Sequence, residues 1–354
     1  MRTRVREAGL DRFKGMLICL IVLGHNYVFS HHYPLLFSYL YSFHVVSFLL
    51  FPYLFLKTGV PLHDLGGKLT RILVPHGFFL LLAAALFVVL NILGGEQAVI
   101  PWLREVGTAL LVERETPFRE TLGAGFLWFL PALAVQTLLL FAYQNATTGV
   151  KWLAAGLGLL VHLGMGVFDS TSVSQLPFSL SLVSYIFVIG LIINALHTRL
   201  RWTPRLSAAL IALWLLASYI AVDNRFFHPL AGDFYYNPVS VLQPLALLMQ
   251  DSLVLLSFFA LMRLAYSLPS ALLALLGRYS LQIFLLHPFV WQLLWRAGLD
   301  DFSTDNTILI VLVTAVSFLA TLGLTLGLAL LAARTPIEAI VFPGTATIGR
   351  VRSD

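Results

Sequence analysis

The chain has 354 residues, of which 59% are hydrophobic and 11% charged, with a formal net charge of +5. Soluble domains carry about 25% charged residues, so this composition excludes a soluble enzyme on a single anchor and leaves a polytopic membrane protein. The positive balance does not mark a nucleic-acid binder, because the charges sit in short loops beside apolar runs.

A membrane helix needs about 20 mostly apolar residues. Runs of that kind fall near 13–30, 35–56, 70–93, 125–144, 151–168, 180–197, 206–222, 239–262, 279–297 and 307–332. The predicted fold is therefore all-α, a bundle of about ten transmembrane helices forming one integral membrane domain over 1–354. The first run follows Arg2, Arg4 and Arg6 as a signal peptide would, but no small-x-small site closes it. It reads as a retained first helix. Cys19, the one cysteine, allows neither an internal disulfide nor a zinc cluster, and no metal site is predicted. The longest connection, about 95–124, is amphiphilic and is predicted to lie along the membrane surface.

Charge placement orients the bundle. With the N-terminus cytoplasmic, alternating loops and helix ends put 17 of the 22 Lys and Arg on the cytoplasmic side. The other side holds Arg104, Arg114, Arg119, Arg225 and Arg296, together with eleven of the 17 acidic residues. Lysine and arginine bias sets orientation, so both termini are predicted to be cytoplasmic.

Several polar groups fall inside the apolar runs, where an ionisable group is costly and usually paired or functional. His25 stands eleven residues beyond Lys14, about 16 Å at helical rise. His44 in "YSFHVVSF", His162, His287 in "LQIFLLHPFV" and Asp251 reach a similar level on four other spans. Together they predict a polar cavity in the bundle. Taken singly, each has a structural alternative: a histidine bonding a neighbouring helix, or an aspartate in an ion pair. Lys14, Lys68 and Arg71, with Arg12 close by, line the cytoplasmic rim. They serve as topology signals and also suit an anion such as a phosphate. Asp11 and Arg12 flank a helix start, where an acidic residue favours the dipole.

Four stretches resemble the membrane-bound acyltransferase 3 family, which includes sugar O-acetylases of bacterial envelopes. "LDRFKGMLICLIVLGH" resembles its first helix, with Lys14 and His25 at the family's basic-residue and histidine positions. "YSFHVVSFLLFPYLF" resembles its second helix, with Phe43 and His44. "LWFLPAL", Leu127 to Leu133, resembles its fourth-span signature, and "GRYSLQIFLLHPFV", Gly277 to Val290, its late Ser-Leu-x-Ile-x-Leu-Leu-His run. There are two departures. Phe51–Pro52–Tyr53 replaces the family's Ser-Gly-Tyr turn, and Lys68-x-x-Arg71 replaces its two-arginine motif, which keeps the charge but loses bidentate geometry.

The resemblance implies an enzyme of the bacterial inner membrane. It would move an acyl group, most readily acetyl, from cytoplasmic acyl-CoA to a hydroxyl of an envelope polysaccharide. Acetyl-CoA is then a substrate, and no tightly bound cofactor is implied. Partners would be the acyl-CoA, the envelope glycan, the bilayer and polysaccharide synthase or export subunits. His25 is the expected catalytic group, either as a general base, for which histidine's pKa of about 6.5 suits it, or as a transient acyl acceptor. Lys14, Lys68 and Arg71 would hold the donor's phosphates. His44 would orient donor or acceptor, Asp251 would raise a histidine's basicity, and His287 would line the cavity. Trp128 and Tyr279 read as membrane-interface aromatics or as sugar-stacking rings. The outer loops, with five basic and eleven acidic residues, favour a neutral or amino-sugar polymer over an anionic one. Two rivals share the polar mid-membrane groups: a glycan or lipid-precursor flippase, and a non-catalytic subunit of a polysaccharide synthase. Acyl-CoA turnover separates both from an acyltransferase.

Overall fold

The computed structural model describes residues 8–89, 99–165, 177–224, 243–299 and 302–343. Arg2, Arg4, Arg6, Arg225, Arg350 and Arg352, which entered the charge argument, lie outside them. Every described element is helical. In chain order the helices are α1 (Ala8–Gly24), α2 (Tyr27–His32), α3 (Pro34–Tyr41), α4 (His44–Leu50), α5 (Leu62–Phe87), α6 (Val99–Val112), α7 (Glu115–Leu122) and α8 (Phe129–Asn145). They continue as α9 (Thr148–Met165), α10 (Leu180–Arg199), α11 (Pro204–Asn224), α12 (Gln243–Ser267), α13 (Ala271–Arg278), α14 (Ser280–Leu294), α15 (Thr307–Ala332) and α16 (Pro336–Val341).

Among the described residues, seven helical stretches are long and apolar enough to cross a membrane, or eight if α13 and α14, bent by 81° at Tyr279, count as one span. The predicted count was ten. The two remaining runs do form helices, but α9 is short and α1 has 17 residues with Asp11, Arg12 and Lys14 in its first turns. Two spans predicted as continuous are interrupted. The first breaks at His25–Asn26, and the second breaks at Ser42–Phe43, just before His44. Irregular backbone at membrane depth is tolerated where it is buried in protein or lines a cavity.

The chain divides into two compact units, the first made of Met1–Phe48, Leu196–Pro229 and Leu245–Leu330, the second of Leu49–Ala195, Leu230–Pro244 and Leu331–Asp354. In the first, α13 lies directly on α1. Gly15 faces the carbonyl of Leu273, and Gly277 faces the carbonyl of Asp11, so closely that a Cβ at either place would meet backbone. Small residues at a helix crossing permit such approach, and membrane helices pack largely by this means. Around the crossing, Phe13, Leu17, Ile18 and Phe258 are buried, with the Phe13 and Phe258 rings edge to face at 5.2 Å.

In the second unit, residues 99–122 form a helical hairpin that touches α5 at two places. The Trp102 ring stacks on Phe87, at the end of α5, at 5.6 Å, and its indole N–H donates to the Thr121 carbonyl at 2.8 Å. From there α6 runs back along α5 until Glu113 stands 3.4 Å from His76, midway along that helix. Eleven residues separate Trp102 from Glu113, and Phe87 from His76, which is about 16 Å on each helix. Glu113 turns the chain at φ 49°, and α7 returns to end at Gly123 in the left-handed region, φ 61°. Segment 99–122 is thus a helical hairpin packed along half of α5, and the His76–Glu113 pair at its tip is largely buried. The pairing of two ionisable groups offsets what either would cost alone in an apolar setting. Neither residue stood out in the sequence.

Candidate active site

His25 occupies the break that ends α1. Its backbone N–H still donates to Ile21 at 3.0 Å, but Asn26 leaves the helix at φ −74°, ψ 113° and caps α2, its Oδ1 accepting from the Phe29 N–H at 3.0 Å. The Asn26 amide nitrogen donates to the Thr314 carbonyl at 3.2 Å and to the Ser317 hydroxyl at 2.9 Å, both on α15. Three hydrogen bonds from one fully buried side chain therefore hold the break open and fixed. Asn26→Ala removes them and strands buried partners, at about 1–3 kcal/mol. A lowered unfolding temperature is expected, together with activity that falls more than stability does, because His25 is one bond away. Parallel thermal and turnover measurements check this.

Three histidines of this unit share one arrangement. Nδ1 of His25 lies 2.9 Å from the Ile21 carbonyl, Nδ1 of His287 lies 3.1 Å from Ile283, and Nδ1 of His44 contacts Leu40. A carbonyl only accepts, so in each case Nδ1 carries the proton and donates, and the lone pair of the neutral ring sits on Nε2. The His25 and His287 rings are 4.8 Å apart and nearly perpendicular. The Tyr41 hydroxyl lies 3.2 Å from Nε2 of His25, and the Tyr41 ring packs 4.7 Å from His44. Gly24 makes room for this: a Cβ there would lie 3.1 Å from the Tyr41 ring and 3.4 Å from Nε2 of His44. His44 and His287 are fully buried, and Nε2 of each has no hydrogen-bond partner among the described residues. His25 is partly exposed.

At the foot of α1, Asp11 is buried and pairs with Arg278 at 3.8 Å. Arg12 donates from Nε to the Ala265 carbonyl at 2.8 Å and from a terminal nitrogen to Tyr266 at 3.4 Å. A cation at the last carbonyls of a helix complements its dipole, so Arg12 is a cap for α12 as well as a rim charge. Lys14 is partly exposed, on the same helix as His25.

The other sequence candidates are distributed as follows. Lys68 and Arg71 are exposed on α5 of the second unit, three residues apart and so on one face. Asp251 is buried on α12 of the first unit, beside Gln250, whose amide donates to the Ser42 carbonyl at 3.0 Å next to the break in the second span. His162 belongs to the second unit, its ring 5.3 Å from Tyr185. Trp128 is only 5% exposed and packs on Phe129, which removes it as an open sugar-stacking ring. Tyr279 is partly exposed at the 81° bend. Tyr41 and Asn26 escaped the sequence reading. The available signals were the i, i+3 spacing of Tyr41 and His44, which puts two rings on one helix face, and an asparagine, a good N-cap residue, inside an apolar run.

A comparison with curated proteins and another with solved structures found no match. The family comparison did: the acyltransferase 3 model, described as an acyltransferase domain, matches residues 7–333. That stretch contains the whole histidine cluster, the α1–α13 crossing and all the candidate spans. With so much of its length matched, the chain belongs to the acyltransferase 3 family, a family of membrane acyltransferases.

Proposed function

We propose that this protein is an O-acyltransferase of the bacterial inner membrane. It takes an acyl group, most readily acetyl, from cytoplasmic acyl-CoA and passes it to a hydroxyl of an envelope glycan. The observation that carries the reading is the His25–His287 pair: two imidazoles 4.8 Å apart, with Nδ1 of each tied to its own helix. That tie aims a basic Nε2 away from the helix that bears it. Nε2 of His287 is buried without a hydrogen-bond partner among the described residues, which costs about 1–3 kcal/mol and is relieved by a bound substrate.

In the direct route the acceptor oxygen attacks the thioester carbonyl as His25 Nε2 takes its proton. The carbon–sulfur bond breaks, and the coenzyme A thiolate leaves and is reprotonated. In the stepwise route the same Nε2 lone pair attacks first and expels the coenzyme A thiolate; the hydroxyl then takes the acyl group from the acyl-imidazole, which frees the imidazole, and its proton ends on the thiolate. Tyr41, 3.2 Å from Nε2, donates to it in the resting state and is well placed to stabilise charge as the bond forms. Lys14 would hold a phosphate of the donor, and the roughly 16 Å of helix up to His25 matches an extended pantetheine arm. His44 would orient the acyl chain through Tyr41, and Asp251 would balance a histidine when it is protonated.

The test uses membranes from cells with and without the chain. Labelled acetyl-CoA is supplied at the cytoplasmic face, and label is measured in the polysaccharide fraction. The proposal requires ester label that depends on the chain and is released by mild base. Label in neither preparation, with the protein present and folded, contradicts it.

A further inference from the structure

The two helices that carry His25 and His287 continue outward into a set of aromatic rings. His287 and Trp291 of α14 are four residues apart, and Trp295, in the π-helical turn that continues α14, is four further on, so they form one ridge that climbs about 12 Å from His287 to Trp295. Beyond the break, Tyr27 and His31 of α2 are also four apart. The Tyr27 ring lies between the other two, 5.7 Å from His31 at 13° and 5.5 Å from Trp295 at 17°. Three nearly parallel rings thus join the outer ends of both histidine-bearing helices. Trp295 is 47% exposed, so one end of the stack is open. One turn below, Trp291 is 6% exposed, and its indole N–H has no hydrogen-bond partner among the described residues.

Ordinary core packing accounts poorly for this combination. A buried indole N–H normally finds an acceptor, and the Trp291 donor stands between an open ring face and the reactive histidines. A pyranose ring needs both features: flat C–H surface to lie on an aromatic face, and hydroxyl oxygens to accept a hydrogen bond. We propose that Trp295, Trp291 and Tyr27 form the acceptor track, on which a neutral pyranose of the glycan stacks as its hydroxyl is passed toward His25. The side that charge placement predicts to be outer has eleven acidic residues against five basic ones, which fits a neutral saccharide. This inference rests on the acyl-transfer reading and adds the binding site for the acceptor.

The test uses the full chain in lipid nanodiscs, free of sugar-based detergent. The probe is a set of neutral oligosaccharides cut from chemically de-O-acylated envelope polysaccharide of the source cell. Trp295→Ala is expected to raise the saccharide KM by about tenfold, with the acetyl-CoA KM and the unfolding temperature unchanged. Trp295→Phe should recover most of the loss. Trp291→Phe, which keeps a ring but removes the N–H, should raise the saccharide KM about three- to tenfold. An unchanged saccharide KM in Trp295→Ala overturns the track and leaves Trp295 as an interface anchor. A parallel loss in both KM values and in stability also overturns it. If the wild type consumes no acetyl-CoA, the acyl-transfer reading falls on its own. Quenching of tryptophan fluorescence by the oligosaccharides then decides the track: quenching lost in Trp295→Ala retains it, and no quenching in the wild type removes it.

Discussion

His25→Ala is expected to lower acyl transfer by about 10²- to 10⁴-fold, the range for losing a positioned general base, with little loss of stability. His25 is partly exposed, and its side chain meets the Ile21 carbonyl, the Tyr41 hydroxyl and the neighbouring rings. The break in the helix is held by Asn26, not by the imidazole. Removing the ring therefore removes the Nε2 lone pair without removing what positions the segment. His25→Gln supplies an amide that cannot take a proton at neutral pH, and it should be nearly as inactive. His287→Ala separates the roles: as a lining group it should cost less than His25→Ala. Rates of acetyl transfer for the three variants, beside their unfolding temperatures, check the order. A His25→Ala protein with normal rates contradicts the assignment of this centre.

Gly277→Val should have the largest effect on folding. A Cβ at residue 277 would overlap the Asp11 carbonyl and crowd the Gly15 backbone, and neither is the end of a flexible side chain that can swing away. The helices must separate, and overpacking of this kind costs about 1–3 kcal/mol or more. Separation would also pull Asp11, which is buried, from the half-exposed Arg278, leaving its charge without a partner. Because α1 carries Lys14 and His25, activity should fall with folding. The expected result is a lower yield of monodisperse protein, an unfolding temperature reduced by several degrees, and little residual turnover. Gly327→Val, where a Cβ meets nothing within 4 Å, is the control and should behave like the wild type.

Apolar runs exposed the helices because a bilayer demands about 20 greasy residues whatever the tertiary contacts. Helical rise put His25, counted from Lys14, at the level of His44 and of His287, counted from Arg278; within their unit His25 lies against Tyr41 and His287, and His44 lies against Tyr41. What escaped the sequence was set by long-range contacts. The capping residue Asn26 is a local mark of the stop at His25, but what fixes the break lies nearly 300 residues away on α15. The contacts of hairpin 99–122 were not legible, because its amphiphilic pattern does not say what its apolar side meets. Trp102 finds Phe87, and Glu113 finds His76, through a turn that no glycine marks. Trp128 looked like an interface ring because exposure cannot be read from an apolar motif. The open aromatic surface is instead at Trp295, where two helices from opposite ends of the sequence meet.

The most direct measurement is acetyl-CoA binding and consumption by the purified protein in nanodiscs, wild type beside His25→Ala. A reactive centre at His25, with the donor held from Lys14, predicts that the wild type binds and consumes acetyl-CoA. The variant should bind it with similar affinity and leave it intact. Equal consumption by both proteins would contradict the account, and so would a wild type that neither binds nor consumes acetyl-CoA.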